Sequence, residues 1–221
     1  MGKAILAEGE YYHIYSRGVR KNDIFHNQRD FTRFLFLILH CQGDYSHGNI
    51  GYAVTDFVKT GKFRIQPDTV NRIISSRFVE LVAFGLMDNH VHLAILEKRE
   101  GGISKFMQRV LNAYAKYYNE KYKQTGHVFQ GRFGRVHVSD NTQFLHLSAY
   151  IHKNPSDIGR WRGREEKYPW SSLQDYVGEN RWPGLLVPGR IMEQFDSPEE
   201  YQHFVRTSSA KSLPNDLLLD I

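Results

Sequence analysis

Hydrophobic and polar positions alternate or recur along the first half of the chain, and the pattern predicts three strands and a helix. Residues 11–17 (YYHIYSR) alternate and are rich in β-forming types, which predicts a first strand. Apolar residues at helical spacing between 29 and 40 predict an amphipathic helix. Residues 78–87 and 90–96 predict two buried strands. Asp88 and Asn89 join them so tightly that antiparallel pairing follows.

The second half predicts two long helices and a short one. A helix is expected over about 104–123 with Ser104 as its N-cap, and another over about 142–153. Pro155 should end the latter, because a residue before proline avoids the α region. Ser197 and Pro198 begin a capping pattern that predicts a short helix to about residue 206. Residues 127–138 are expected to be extended, and the glycine-rich stretch 42–70 to be an irregular excursion that could include a small hairpin.

Composition narrows the class of protein without naming a function. The 221 residues carry a net charge of +5 and a pI of about 9.2, which permits a nucleic-acid partner but does not prove one. The single cysteine, Cys41, excludes a disulfide or a cysteine-based zinc site within one chain and fits a reducing cytoplasm. The longest apolar run, FLFLIL, is too short to cross a membrane, so we expect a cytoplasmic protein without a membrane partner.

Two histidines in the second of the paired strands are the strongest chemical signal. His90 and His92 are two residues apart, so their imidazoles lie on one face of the strand. Core strands seldom place two imidazoles together, and a metal ion would explain the pair. Tyr150 and Asn154 are four residues apart on the later helix and would share a face, although Pro155 makes the direction of Asn154 less certain.

These four side chains would suit the cleavage of a phosphodiester. A divalent ion held by two imidazoles and an amide oxygen keeps open positions for a phosphate oxygen. A tyrosine phenolate that attacks phosphorus forms a covalent phosphotyrosine. This linkage keeps the energy of the phosphodiester, so a second hydroxyl can reverse the step without ATP. Such storage is useful to a strand-transfer enzyme and useless to a hydrolase.

Five segments together resemble a known family. YHIYSRGV, GLMDNHVHLAI, TGHVFQGRF, YIHKNP and YPWSSLQDY occur in the order found in single-tyrosine "HUH" transposases, where U is hydrophobic. The REP-associated tyrosine transposases and their insertion-sequence-200-like relatives are the most similar branch. The resemblance runs from about residue 10 to about 176. It implies an α+β fold with a ferredoxin-like antiparallel sheet and helices packed on one face. We therefore expect a transposase domain at 1–176, with an excursion at 42–76, and a C-terminal extension at 177–221 with a short helix.

The resemblance also implies roles for particular residues. His90 and His92 would bind Mg²⁺ or Mn²⁺, and Asn154 would supply a further polar ligand. Tyr150 would be the nucleophile and would form a 5′-phosphotyrosine on single-stranded DNA that bears hairpins. Asp88 stands where relatives commonly have proline. Arg17, Arg132, Arg135 and Lys116 are candidates for DNA contacts.

Three alternatives stay open on the sequence alone. A rolling-circle replication initiator or relaxase also combines paired histidines with a tyrosine, and Tyr150 with Lys153 fits a Tyr-x-x-Lys pattern. A domesticated DNA-binding protein could keep the fold without catalysis, and a metal hydrolase could act on small phosphodiesters. Monomer and homodimer both remain open, with the homodimer preferred.

Overall fold

A four-stranded antiparallel sheet forms the centre of the computed structural model, which describes residues 5–44 and 49–209. The strand order is β2-β3-β1-β4, which is the order of a ferredoxin-like βαββαβ unit. The strands are β1 (Tyr11–Arg17), β2 (Val79–Met87), β3 (His90–Glu97) and β4 (Gly134–His137). The predicted α+β fold with antiparallel pairing of the two buried strands is confirmed.

Eight helices surround this sheet within the described residues. They are α1 (Gln28–His40), α2 (Ile50–Thr60), α3 (Pro67–Ser75), α4 (Gly102–Tyr122), α5 (Asn141–Lys153), α6 (Leu173–Val177), α7 (Gly189–Met192) and α8 (Pro198–Thr207). Helices α1 and α4 share the larger apolar core with one face of the sheet. The expectation placed helices on one face, and the structure adds α5 to α8 over the opposite face, around a second core.

The stretch expected to be an irregular excursion contains two helices, so that prediction is wrong. Helix α2 begins after Asn49, whose side chain accepts a hydrogen bond from the backbone of Tyr52. Its apolar positions follow a helical period: Val54 is buried and Phe57 packs against Phe36 of α1. The glycines concealed this period in the sequence. Residues 45–48 of the excursion lie outside the described part of the chain.

The start of α4 also differs from its prediction. The N-cap is Gly101 rather than Ser104, with φ of 72° in the left-handed region that glycine tolerates. The buried carboxylate of Glu97, at the end of β3, accepts hydrogen bonds from the backbone N–H groups of Gly102 and Ile103. A side chain from the preceding strand therefore satisfies the first turn, and no local capping motif is needed.

The end of α5 keeps helical geometry for one residue longer than expected. Asn154 has φ −51° and ψ −41°, in the α region, although it precedes Pro155. Its backbone N–H still bonds to the carbonyl of Tyr150, and Pro155 enters a following 3₁₀ turn. The prediction that this residue avoids the α region is therefore wrong. As a result Asn154 stays in helical register with Tyr150.

The short C-terminal helix is confirmed. Helix α8 starts after Ser197, whose hydroxyl accepts a hydrogen bond from the backbone N–H of Glu200 at 3.1 Å, and Pro198 is its first residue. Within the described part of the chain, every helix is too short or too polar to cross a membrane.

Candidate active site

His90 and His92 lie side by side on the sheet face that α5 covers. Their ring centroids are 5.0 Å apart and the rings are nearly perpendicular, at 82°. His92 is buried, with 1% of its surface exposed, while His90 is half-buried at the start of β3. The structure therefore brings the two imidazoles together, as the strand pattern predicts.

The Nδ1 atom of each imidazole has a defined polar neighbour. His90 Nδ1 is 2.6 Å from the side-chain oxygen of Asn89, and His92 Nδ1 is 2.8 Å from Nε2 of His13 on β1. An imidazole that donates from Nδ1 presents the lone pair of Nε2. The side-chain oxygen of Asn89 accepts a hydrogen bond and thus favours Nε2 as the ligating atom of His90. His92 presents Nε2 in the same way when its Nδ1 donates to His13.

The ring of Tyr150 contacts the imidazoles of His92 and His13. Its ring centroid is 5.2 Å from that of His92 with perpendicular planes, and 5.9 Å from that of His13. Tyr150 is almost completely buried, with 4% of its surface exposed. Gly85 of β2, the sheet partner of His92, allows this close approach, because the backbone of Ile151 packs where a side chain would be.

Asn154 lies one helical turn beyond Tyr150 and is also buried, with 4% of its surface exposed. Its Nδ2 donates to the carbonyl of Tyr150 at 3.1 Å, so the amide is folded back along α5. A ligand role would therefore use Oδ1. The structure places Asn154 at the same helix end as Tyr150. Its role as a metal ligand stays a prediction.

Arg17 is the candidate DNA contact that lies at the imidazole pair. It is the sheet partner of His90 and so projects from the same face. Its Nε and Nη1 atoms are buried and have no hydrogen-bond partner among the described residues. Next to it, Tyr15 is the sheet partner of His92, with ring centroids 6.4 Å apart. A cation with unused donors beside two imidazoles suits an anionic group such as a phosphate.

The other three candidate DNA contacts lie elsewhere. Arg132 and Arg135 line a groove of about 580 Å³ between α4 and the segment 126–135. Arg135 pairs with Ile14, so this groove opens on the sheet face opposite to the imidazoles. Lys116 lines a different depression, between α1, α2 and α4. The sequence predicted one role for all four cations, whereas the structure places them on three surfaces, counting that of Arg17.

Helix α8 holds α5 in place from its outer side. Tyr201 of α8 contacts both His152 and Ser148 of α5, with oxygen-to-nitrogen and oxygen-to-oxygen distances of 2.6 and 3.1 Å. The second nitrogen of His152 is 2.8 Å from the hydroxyl of Ser172. Burial lowers the pKa of His152 to about 3, so this ring is neutral and acts as a structural link.

The residues present fit a divalent cation in part. Two imidazoles with engaged Nδ1 atoms are the usual form of metal-ligating histidines. Among the described residues, however, no group of three His, Cys, Asp or Glu side chains could hold a metal ion. A third protein ligand would therefore have to be an amide such as that of Asn154. Imidazole ligands suit Mn²⁺ better than Mg²⁺, which prefers oxygen.

Two contacts of this site were missed in the sequence. His13 was part of the first predicted strand but was not singled out, and Asn89 was treated only as a turn residue. The signal for His13 was present: it alternates with Tyr11 and Tyr15, on the strand that a ferredoxin-like order places next to His92. The signal for Asn89 was its position directly before His90.

The profile of the family described as "Transposase IS200 like" matches residues 57–154 of this chain, a range that includes His90, His92, Tyr150 and Asn154. The resemblance to insertion-sequence-200-like transposases that the motifs indicate is thereby confirmed. A sheet with paired imidazoles under a tyrosine-bearing helix is thus found in a chain similar to transposases.

Two solved structures were compared with the fold. One is described as a REP-associated tyrosine transposase bound to a REP hairpin; it has a TM-score of 0.52 and 15% identity and covers 85% of this chain and 90% of its own. At this identity the likeness shows a shared fold. The other, a tRNA(His) guanylyltransferase from Saccharomyces cerevisiae, has 9% identity, covers 98% of this chain and 86% of its own, and scores 0.35, too low to imply one. No curated protein sequence matches significantly.

Proposed function

We propose that the protein is a DNA strand transferase that cleaves and rejoins single-stranded, hairpin-bearing DNA through a 5′-phosphotyrosine on Tyr150. The observation that carries this proposal is the position of the Tyr150 ring over His92, at 5.2 Å between centroids, in a chain that resembles transposases. A hydrolase of small phosphodiesters would not need a phenol at this position.

The chain's own residues would carry out the covalent step. The phenol of Tyr150 loses its proton and its oxygen attacks phosphorus. A bond forms between that oxygen and phosphorus, and the bond from phosphorus to the 3′ oxygen breaks. The released 3′ hydroxyl takes up a proton, so the step is reversible and consumes no cofactor. Arg17 beside His90 would stabilise the charge that develops on the phosphate.

The proposed metal ligands are His90, His92 and the amide oxygen of Asn154. A divalent cation bound there would withdraw negative charge from the phosphate and would align it for attack. His92 and Tyr150 are buried, whereas His90, Arg17 and Tyr15 are half-buried. The phosphate would therefore enter from the side formed by those three residues.

The groove beside α4 would bind DNA outside the cleavage site. Among the described residues, no carboxylate lines it, and its walls include Arg132, Arg135 and His127 together with the half-buried ring of Phe133. Cations suit the phosphate backbone, and an accessible aromatic ring suits stacking with an unpaired base. Lys116 lies apart from this groove, and we leave it out of the proposed DNA surface.

The test is the formation of a covalent adduct. The full chain is incubated with Mn²⁺ and single-stranded oligonucleotides that form hairpins, and protein–DNA adducts are separated under denaturing conditions. We expect an adduct with the native chain and none with Tyr150→Phe or His92→Ala. Tyr15→Phe is the matched control: it removes the other phenol near His92 and should keep the adduct.

Each outcome has a distinct meaning. An adduct that survives Tyr150→Phe and disappears in Tyr15→Phe would show that Tyr15, and not Tyr150, is the nucleophile. An adduct formed only on replication-origin sequences would favour a rolling-circle initiator or relaxase. Binding without an adduct on any hairpin would identify a DNA-binding protein that lacks catalysis.

A further inference from the structure

His13 is a buried imidazole that the proposed mechanism does not use. It lies on β1, with 1% of its surface exposed, and its Nε2 is 2.8 Å from Nδ1 of His92. The two rings are stacked, with an angle of 24° between their planes. At this distance the two nitrogens share one hydrogen bond, so one ring donates its N–H and the other accepts it.

Only one arrangement of protons in this pair suits a metal-binding His92. If His13 Nε2 donates, His92 carries its proton on Nε2 and cannot use that nitrogen as a ligand. If instead His92 Nδ1 donates to His13, the Nε2 lone pair of His92 is presented on the Tyr150 side of the sheet. His13 must then keep its own proton on Nδ1.

That second nitrogen of His13 marks it as more than a packing residue. Nδ1 of His13 is buried and has no hydrogen-bond partner among the described residues. An apolar side chain would fill the same space without a stranded polar atom. Buried polar atoms without partners are rare and often accompany a functional role.

We infer that His13 is a positioning residue for the proposed metal site: it accepts the Nδ1 proton of His92 and thereby fixes the tautomer and the ring orientation with which His92 would bind a divalent cation. This inference rests on the proposed function, because it concerns the same site. His13 itself does not touch the substrate. Its role toward His92 parallels that of Asn89 toward His90.

The test measures metal binding rather than DNA cleavage. Mn²⁺ is titrated into the full native chain and into variants, and the unbound ion is followed by electron paramagnetic resonance. We expect His13→Phe to weaken Mn²⁺ binding by roughly 10- to 100-fold, the range typical for loss of a residue that orients a metal ligand. His13→Gln should recover much of the affinity, because its amide oxygen reaches about as far as Nε2 and can accept the same proton.

Two controls separate positioning from folding. His40→Phe replaces another buried imidazole, on α1, whose Nδ1 is 2.6 Å from the carbonyl of Phe36. It can lower the unfolding temperature but should leave Mn²⁺ affinity unchanged. Nitrogen NMR of labelled histidines in the native chain with Mg²⁺ should show His92 protonated at Nδ1, which decides the point even if His13→Phe does not fold.

The results test the role of His13 separately from the proposed strand transfer. Native Mn²⁺ affinity in folded His13→Phe, or a His92 proton on Nε2 in the Mg²⁺-loaded chain, would overturn the role of His13 and leave the proposed strand transfer intact. A native chain whose Mn²⁺ binding is insensitive to His92→Ala would overturn both.

Discussion

Gly85 lies directly against the backbone of Ile151, the residue that follows Tyr150. A methyl group at Gly85 would be 3.0 Å from the carbonyl oxygen of Ile151 and 3.4 Å from its Cγ2. Gly85 is also the sheet partner of His92. One glycine therefore sets the distance between the tyrosine helix and the imidazole strand.

This contact predicts a graded loss of activity. Gly85→Ala should displace α5 by a few tenths of an ångström and lower the rate of adduct formation by about tenfold, because reactivity depends steeply on the alignment of reacting groups. Gly85→Val should reduce it further and should also lower the unfolding temperature. Gly159→Ala is the matched control, since no atom of the described part of the chain lies within 4 Å of its added methyl group. Native rates in Gly85→Val would contradict this view of the site.

The basic groove predicts a change in the salt dependence of DNA binding. Affinity is measured for a hairpin oligonucleotide over a range of salt concentrations, and the slope of log K against log salt is compared. Each phosphate contact contributes roughly 0.7 to 0.9 to this slope. Arg132→Ala and Arg135→Ala should therefore each reduce its magnitude by about that amount, whereas Lys116→Ala, on a separate surface, should not.

Two results would contradict the assignment of DNA binding to the groove. Equal changes of the slope for Lys116→Ala and the two arginine variants would mean that the groove is not the DNA surface. DNA affinity would then depend on the net charge of the protein and not on the position of each cation. A loss confined to Lys116 would move the DNA path to the depression between α1, α2 and α4.

A buried carboxylate predicts acid sensitivity of the fold. Asp30 at the start of α1 is fully buried and accepts hydrogen bonds from Tyr117, Tyr122 and the backbone of His26, at 2.8, 2.6 and 3.0 Å, and pairs with Lys121. Burial alone would raise the pKa of Asp30, but these contacts outweigh it and hold the pKa below 3.8. Ionised Asp30 therefore stabilises the fold at pH values above its lowered pKa.

Asp30→Asn should lower the free energy of unfolding by about 2 kcal/mol at pH 7, because a buried network loses its charged acceptor. The difference from the native chain should persist to about pH 5. It should close as the pH falls through the lowered pKa, where native Asp30 also becomes neutral. Urea denaturation at several pH values measures this. Asp44→Asn, at an exposed pair with Lys105, should leave the midpoint unchanged. A difference that grows on acidification would give the opposite sign and exclude this account.

Periodicity predicted the elements that carry the site, and tertiary contacts decided the rest. The alternation in β3 placed His90 and His92 on one face because that property is local to a strand. Helix α2 was missed because Gly51 within it and Gly61 at its end masked a short apolar period. The N-terminus of α4 was misplaced because Glu97 of the preceding strand caps it.

The contact between His13 and His92 joins residues 79 positions apart. It follows only once strand order and register are known, and no pattern within either strand reveals it. The same limit applies to the basic groove, since Arg135 faces away from the imidazoles only because it pairs with Ile14. Residue types were therefore readable from the sequence, whereas their distribution over surfaces was not.

The contacts of α5 predict that each chain supplies its own tyrosine. Tyr150 contacts the imidazoles of its own chain, and α5 is held between the sheet at Gly85 and helix α8 at Tyr201. Exchange of α5 between two subunits would have to break both contacts. We therefore expect catalysis in cis, whether or not the protein forms the homodimer that the sequence left open.

A complementation experiment tests this. His92→Ala keeps the phenol and Tyr150→Phe keeps the imidazoles, so neither variant alone should form an adduct. The two are co-expressed with tags of different size, so that any mixed oligomer can assemble, and are then incubated with Mn²⁺ and a hairpin oligonucleotide. In cis, no chain has both functions, and we expect no adduct. An adduct on the His92→Ala chain would require its Tyr150 to act at the imidazoles of a partner. It would show that α5 separates from its own sheet when the two chains assemble, despite the contacts of Tyr201 with α5.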